Sequence, residues 1–163
     1  MRLSNIGNFR FDPHKVQRDQ LDYLLVEAQN TWFGHRYGFR TMTREDFSKR
    51  VEIRDYEAFH ELIVRAKAGE KDVLWPGTVK WFAKSSGTTN EKSKYIPVTK
   101  QGLHDSHMRG PRDVVAFFSE LYPESNVFLG KTLTLGGSRK VEREGETALT
   151  GDLSAILLEN TPW

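Results

Sequence analysis

Lys84-Ser85-Ser86-Gly87-Thr88-Thr89-Asn90-Glu91-Lys92-Ser93-Lys94-Tyr95-Ile96-Pro97-Val98-Thr99 is the stretch that decides the reading of this chain. It contains a polar bend between two short apolar runs. Ser85, Ser86, Thr88 and Thr89 flank Gly87. Glycine adopts backbone conformations that other residues avoid, so successive N–H groups can turn into one concavity. The hydroxyls add neutral donors, and Lys94 adds a positive charge within reach of phosphate oxygens. Those ingredients suit a polyphosphate. A solvated Ser/Thr-rich turn has the same composition, so composition leaves both readings open. The bend is not a Walker loop, because the second glycine and its adjacent lysine are missing. It is not a dinucleotide fingerprint either, since the chain has no GxGxxG.

Before the bend, Val73-Leu74-Trp75-Pro76-Gly77-Thr78-Val79-Lys80-Trp81-Phe82-Ala83 contains a Pro-Gly turn signal. Val79, Trp81 and Ala83 then alternate, which predicts a strand ending near Lys84. After the bend, Tyr95 to Val98 predicts a second strand. Thr99 can cap a long helix from about Lys100 to Tyr122, carrying Leu103, Val114, Val115, Phe117, Phe118 and Leu121, with a kink expected at Gly110-Pro111. Further strands are expected at Asn126 to Leu129, Thr132 to Leu135 and Ala155 to Leu158. Arg139, Lys140 and Arg143 alternate with Glu142, Glu144 and Glu146, a pattern that predicts a solvated hairpin with cross-strand charge pairing.

The first part of the chain reads as helical. Asp12-Pro13 opens a helix with a cap and a proline suited to the first turn. Leu21, Leu24, Leu25 and Ala28 recur at helical spacing, Trp32 lies one turn on, and Gly34 and Gly38 mark the expected end. Thr43 with Asp46 resembles a capping box. Asp55 caps a helix that presents Phe59, Leu62, Ile63 and Ala66 on one face, with Gly69 as its stop. The fold class expected is a mixed α/β arrangement of N-terminal helices followed by strand–loop–strand–helix–strands. The expected division is a helical segment over residues 1–70 and a partial α/β nucleotide-binding segment over 71–163.

Composition narrows the function classes. Twenty-four basic and 22 acidic side chains give a net charge of +2 with interleaved signs, which does not point to nucleic acid. The chain has no cysteine, excluding disulfides and thiolate chemistry. The first residues contain no apolar core of a signal peptide, and no run reaches the roughly 18 apolar residues of a membrane helix. A cytoplasmic location and no membrane partner are expected. His104 and His107 lie three apart beside Asp105, but no third metal ligand follows, so no metal site is assigned. Ser138 lacks the GxSxG context of a hydrolase nucleophile. Trp75, Trp81 and Trp163 could line a pocket, although core packing or interface burial is the plainer reading.

The motif over 84–97 closely resembles the nucleotide motif of the auxin-responsive acyl-acid amido synthetases and their bacterial relatives. These belong to the wider adenylate-forming superfamily. In that family the loop holds the phosphates of ATP. Position by position, Ser85, Ser86, Gly87, Thr88 and Thr89 match the cradle, Lys94 matches the family's lysine, and Ile96-Pro97 match the residues after it. Glu91 stands where the family often carries glycine, and an acidic side chain there repels phosphate unless it turns away or meets a metal ion. Thr43-Arg44-Glu45-Asp46-Phe47, Gly136-Gly137-Ser138 and Gly151-Asp152-Leu153-Ser154 resemble other family segments more loosely.

The resemblance implies that the chain is an incomplete part of an adenylate-forming enzyme's large N-terminal domain. It implies ATP and Mg2+ as cofactors, a small carboxylic acid as substrate, and an amine or amino acid as acceptor. It implies an electrostatic role for Lys94. The abrupt close at Pro162-Trp163 adds the expectation of a longer parent polypeptide, whose missing part or a second copy would cover the incomplete sheet. The alternative reading is a non-catalytic interaction or regulatory module that retains a phosphate-binding loop.

Overall fold

The computed structural model describes residues 2–85, 93–127, 129–131, 133 and 140–161. Five helices lead. They are α1 (Arg2–Phe11), α2 (Pro13–Ala28), α3 (Trp32–Tyr37), α4 (Arg44–Arg50) and α5 (Tyr56–Lys67). Their starts follow the capping signals in the sequence. Asp12 accepts from the Lys15 N–H, Thr43 from the Asp46 N–H and Asp55 from the Ala58 N–H. The Thr43 hydroxyl also donates to the Asp46 carboxylate at 2.7 Å, so the shorter acid still completes a reciprocal cap. Helix α5 ends as its glycine requires. Gly69 takes φ +93, Gly69 N–H reaches Ala66 O, and Glu70 N–H reaches Arg65 O, which is a Schellman pattern.

Helix α2 differs from its expected extent. It stops at Ala28, and Thr31 caps the separate α3, in which Gly34 is an interior residue; Gly38 supplies the left-handed C-cap. Helix α1 carries no strong apolar period and was not expected.

Among the described residues the sheet has four strands in the order β2-β1-β4-β3, with β1 (Trp81–Lys84), β2 (Tyr95–Val98), β3 (Val141–Glu144) and β4 (Ala148–Gly151). Strands β1 and β2 pair antiparallel, β1 and β4 parallel, and β3 and β4 form the expected hairpin around Gly145. Strand β1 is covered on both faces. Phe82 joins Leu62, Ile63 and Ala66 of α5 and Ala148 of β4, and Ala83 joins Val98, Leu103 and Ile156. A central strand buried on both sides carries consecutive apolar residues. A third cluster holds α2 to the turn after α3 through Leu25, Ala28, Tyr37, Phe39 and Met42.

Three further expectations differ from the structure. The Ala155–Leu158 run is the core of helix α8 (Leu153–Asn160), not a strand. A four-residue apolar run fits either state, and the chain has just left β4 at Gly151, so it returns across the sheet as a helix. The long helix is broken earlier than expected. A short α6 (Lys100–Gly102), capped by Thr99, runs into a π-turn over Leu103–His107, and α7 (Arg109–Leu121) starts afresh. Met108 N–H bonds to Leu103 O, five residues back. Pro111 has no N–H to offer His107 O and crowds that carbonyl, so the disruption falls on the turn before the proline. Asn126 and Val127 lie in a turn, not a strand, while Phe128 and most of Thr132–Leu135 fall outside the described residues.

Candidate functional site

Ser85 and Lys94 are the two predicted site residues that the structure describes, and it brings them together. Ser85 N–H donates to Lys94 O at 2.9 Å, extending the β1–β2 ladder by one pair. Ser86, Gly87, Thr88, Thr89 and Glu91 lie outside the described residues. The two ends of the stretch are therefore fixed side by side at the carboxyl end of β1.

That end of the sheet has a second tenant. Strand β4 runs parallel to β1, and Ala83 pairs with Gly151. Ser85 and Leu153, each two residues on, therefore leave the sheet at the same end, and Leu153 begins α8. Carboxyl ends of parallel strands are where open α/β sheets place their ligands, because the backbone diverges there and opens a crevice.

Charged side chains of α5 and β3 meet at the Tyr95 ring, and Lys94 lies over a ring of α5. Lys94 Nζ lies 5.4 Å from the centroid of the Tyr56 ring. Lys67 Nζ lies 3.4 Å from the Tyr95 ring centroid and is ion-paired with Glu144. The Lys67 bond holds the Glu144 carboxyl below the usual carboxylate range; partial burial opposes this, and the hydroxyls of Thr150 and Tyr95 assist it. Glu142 is likewise held low, chiefly by its bond to Lys140. Tyr56 and Lys67 are the first and last residues of α5. They lie far from the 84–97 motif in sequence, and no local pattern ties them to it.

A wide cleft lies elsewhere among the described residues. It has a volume of about 870 Å³ and is lined by Tyr23, Leu24, Leu74, Trp75, Pro97 and Arg109 among others. Pro97 sits toward the end of β2 remote from Lys94, so this cleft opens at the other end of the strand pair. Trp75 lines it while packing on the α2–α3 core, and Trp81 packs on the α8 side of the sheet. Trp163 is outside the described residues. His104 is exposed, with its Nδ1 2.7 Å from the Asp105 carboxylate. Among the described residues no group of three His, Cys, Asp or Glu is placed to hold a metal. No helix among them is long and apolar enough to cross a membrane.

Compared with known proteins, residues 2–162 match the model described as the GH3 family N-terminal domain. Compared by sequence with curated proteins, the chain finds no match. Among solved structures it is similar to the GH3.15 acyl acid amido synthetase, with TM-score 0.71 and 20% identity over 97% of this chain and 28% of that one. It is also similar to AtGH3.15 acyl acid amido synthetase in complex with 2,4-DB, with TM-score 0.76 and 20% identity over 97% of this chain and 27% of that one. At such identity the likeness is one of fold. The chain spans little more than a quarter of the length of these relatives. Matched from Arg2 to Pro162, the chain belongs to the GH3 family and has the fold of the N-terminal domain of its acyl acid amido synthetases.

Proposed function

We propose that this chain is the N-terminal portion of an ATP-dependent acyl-adenylating enzyme that conjugates a carboxylic acid to an amine or amino acid. One observation supports the reading most. The Ser/Thr/Gly motif leaves and re-enters the sheet at the carboxyl end of a central strand, in a chain of the GH3 family. The relatives are, by name, acyl acid amido synthetases, and one was solved in complex with 2,4-DB.

In this reading the residues divide the work. Ser85 N–H is already committed to Lys94 O, so Ser85 offers its hydroxyl. The backbone donors of the cradle would come from Ser86, Gly87, Thr88 and Thr89. Lys94 would supply positive charge toward the phosphates from its seat over Tyr56. This donor set, hydroxyls and N–H groups with one ammonium, fits a triphosphate. The described residues show no carboxylate or histidine cluster for Mg2+, so the ion would come with the nucleotide and add charge neutralisation.

The acid's carboxylate oxygen would attack the α-phosphorus of ATP. The bond to the β-phosphate oxygen would break, and pyrophosphate would leave with that electron pair. The acceptor amine would then attack the acyl carbon, forming the amide and releasing AMP and a proton. Donors fixed in advance stabilise the charge that builds on the departing pyrophosphate.

ATP–pyrophosphate exchange by the intact parent enzyme tests this. Thr88→Ala and Lys94→Ala are each expected to slow exchange by about 100-fold, the scale of a lost transition-state donor. Undiminished exchange in both variants would overturn the proposal.

A further inference from the structure

Among the described residues strand β2 is an edge strand, and its open side is closed by one side chain from α5. Ser85 and Lys94 form a hydrogen-bonded pair, and pairs alternate along an antiparallel ladder. The N–H and C=O of Tyr95 therefore point outward, away from β1. Tyr56 meets both. Tyr95 N–H donates to the Tyr56 hydroxyl at 2.9 Å, and that hydroxyl donates to Tyr95 O at 3.3 Å. One phenol thus does for Tyr95 what a neighbouring strand would do. Pro97 faces outward in the same way and has no N–H to leave open, as suits an edge.

The same ring carries Lys94 on its face, with Nζ 5.4 Å from the centroid. At the other end of α5, Lys67 covers the Tyr95 ring and pairs with Glu144. Helix α5 therefore grips residue 95 twice, by its backbone and by its ring, and holds the neighbouring lysine by a cation–π contact.

We infer that Tyr56 is a positioning residue for the phosphate site: its hydroxyl pins Tyr95 and its ring aims Lys94, fixing the exit of the 85–94 stretch for a polyphosphate. This rests on the phosphate-loop reading. A packing role alone would need the ring but not the hydroxyl, and would have no particular link to Lys94.

The test uses Tyr56→Phe, Tyr56→Leu and Lys94→Ala in this 163-residue chain, with Mg2+ and inorganic tripolyphosphate as the probe. Without ligand, Tyr56→Phe is expected to speed exchange of the Tyr95 amide by about 10-fold or more while the Phe82 amide keeps its protection. With ligand, the Ser85 and Lys94 signals of the wild type respond at millimolar concentration, and Tyr56→Phe weakens that response about 3–10-fold. Tyr56→Leu, which also removes the ring, weakens it further. On the Lys94→Ala background Tyr56→Leu should cost no more than Tyr56→Phe, since the ring then has no ammonium left to aim and coupled residues are not additive. Unchanged Tyr95 exchange in Tyr56→Phe, or losses that simply add, would overturn the inference. If the wild-type Ser85 and Lys94 signals ignore tripolyphosphate, the phosphate reading itself fails and the positioning role falls with it. Accelerated Tyr95 exchange would then still record the clamp, so the two failures can be told apart.

Discussion

Phe82→Ala is expected to destabilise the chain by about 3–5 kcal/mol, enough to consume much of a typical domain's stability. Phe82 is 0% exposed and sits in the middle of β1. Its backbone is held by β2 on one side and β4 on the other. Its ring packs among Leu62, Ile63, Val73, Val79 and Ala148. A central strand cannot move toward α5 to fill the space without breaking two ladders, so a cavity would remain. Because β1 leads straight into Ser85, the same loss would loosen the sheet end at which the predicted site begins. Urea unfolding followed by far-UV circular dichroism measures the effect. A loss below about 1 kcal/mol would contradict this account of the core.

Gly34→Ala is expected to cost about 3 kcal/mol, for a different reason. A Cβ built on Gly34 would lie 2.0 Å from Ala28 O and 2.9 Å from the Ala28 carbonyl carbon. These are backbone atoms and cannot swing aside. The turn is pinned from several directions. Thr31, fully buried, donates from its hydroxyl to Ala28 O at 2.7 Å and accepts from Gly34 N–H at 2.9 Å. Trp32 N–H and Phe33 N–H donate to Asp72 O and Val73 O. Relief would have to push α3 off α2 or off the 72–73 segment. Gly110→Ala is the control, since nothing lies within 4 Å of its added methyl. Alanine at that helical position should be neutral or gain up to about 1 kcal/mol. Thermal melts of the two variants separate the cases, and equal melting temperatures would contradict the close approach at Gly34.

How legible the fold was depended on how local its determinants are. Asp12, Thr43, Asp55 and Thr99 cap helices through bonds three residues away, so their signatures are written in short stretches. Gly69 and the hairpin at Gly145 are similarly local. The errors arose where a decision needed tertiary context. Ala155-Ile156-Leu157-Leu158 is apolar on every side, and only its place after β4, with Ile156 fully buried under the sheet, makes it a helix. The proline that breaks the 100–121 region was visible, but its effect falls one turn upstream, on the carbonyl it cannot satisfy.

The candidate site shows the same division. The motif at 84–97 is local, so the proposed phosphate chemistry, which asks for glycine, hydroxyls and lysine in one short stretch, could be put forward from the sequence. Its support could not. Tyr56 and Lys67 reach Lys94 and Tyr95 only because α5 lies across β2, a contact that no spacing in the sequence announces.

The most direct test of the phosphate reading is an NMR titration of this chain with Mg2+ and ATP, following assigned backbone amides. The account predicts weak, millimolar binding whose perturbations concentrate at residues 85–89 and at Lys94. Perturbations confined to the Tyr23–Trp75 cleft, with the 85–94 signals unmoved, would contradict it.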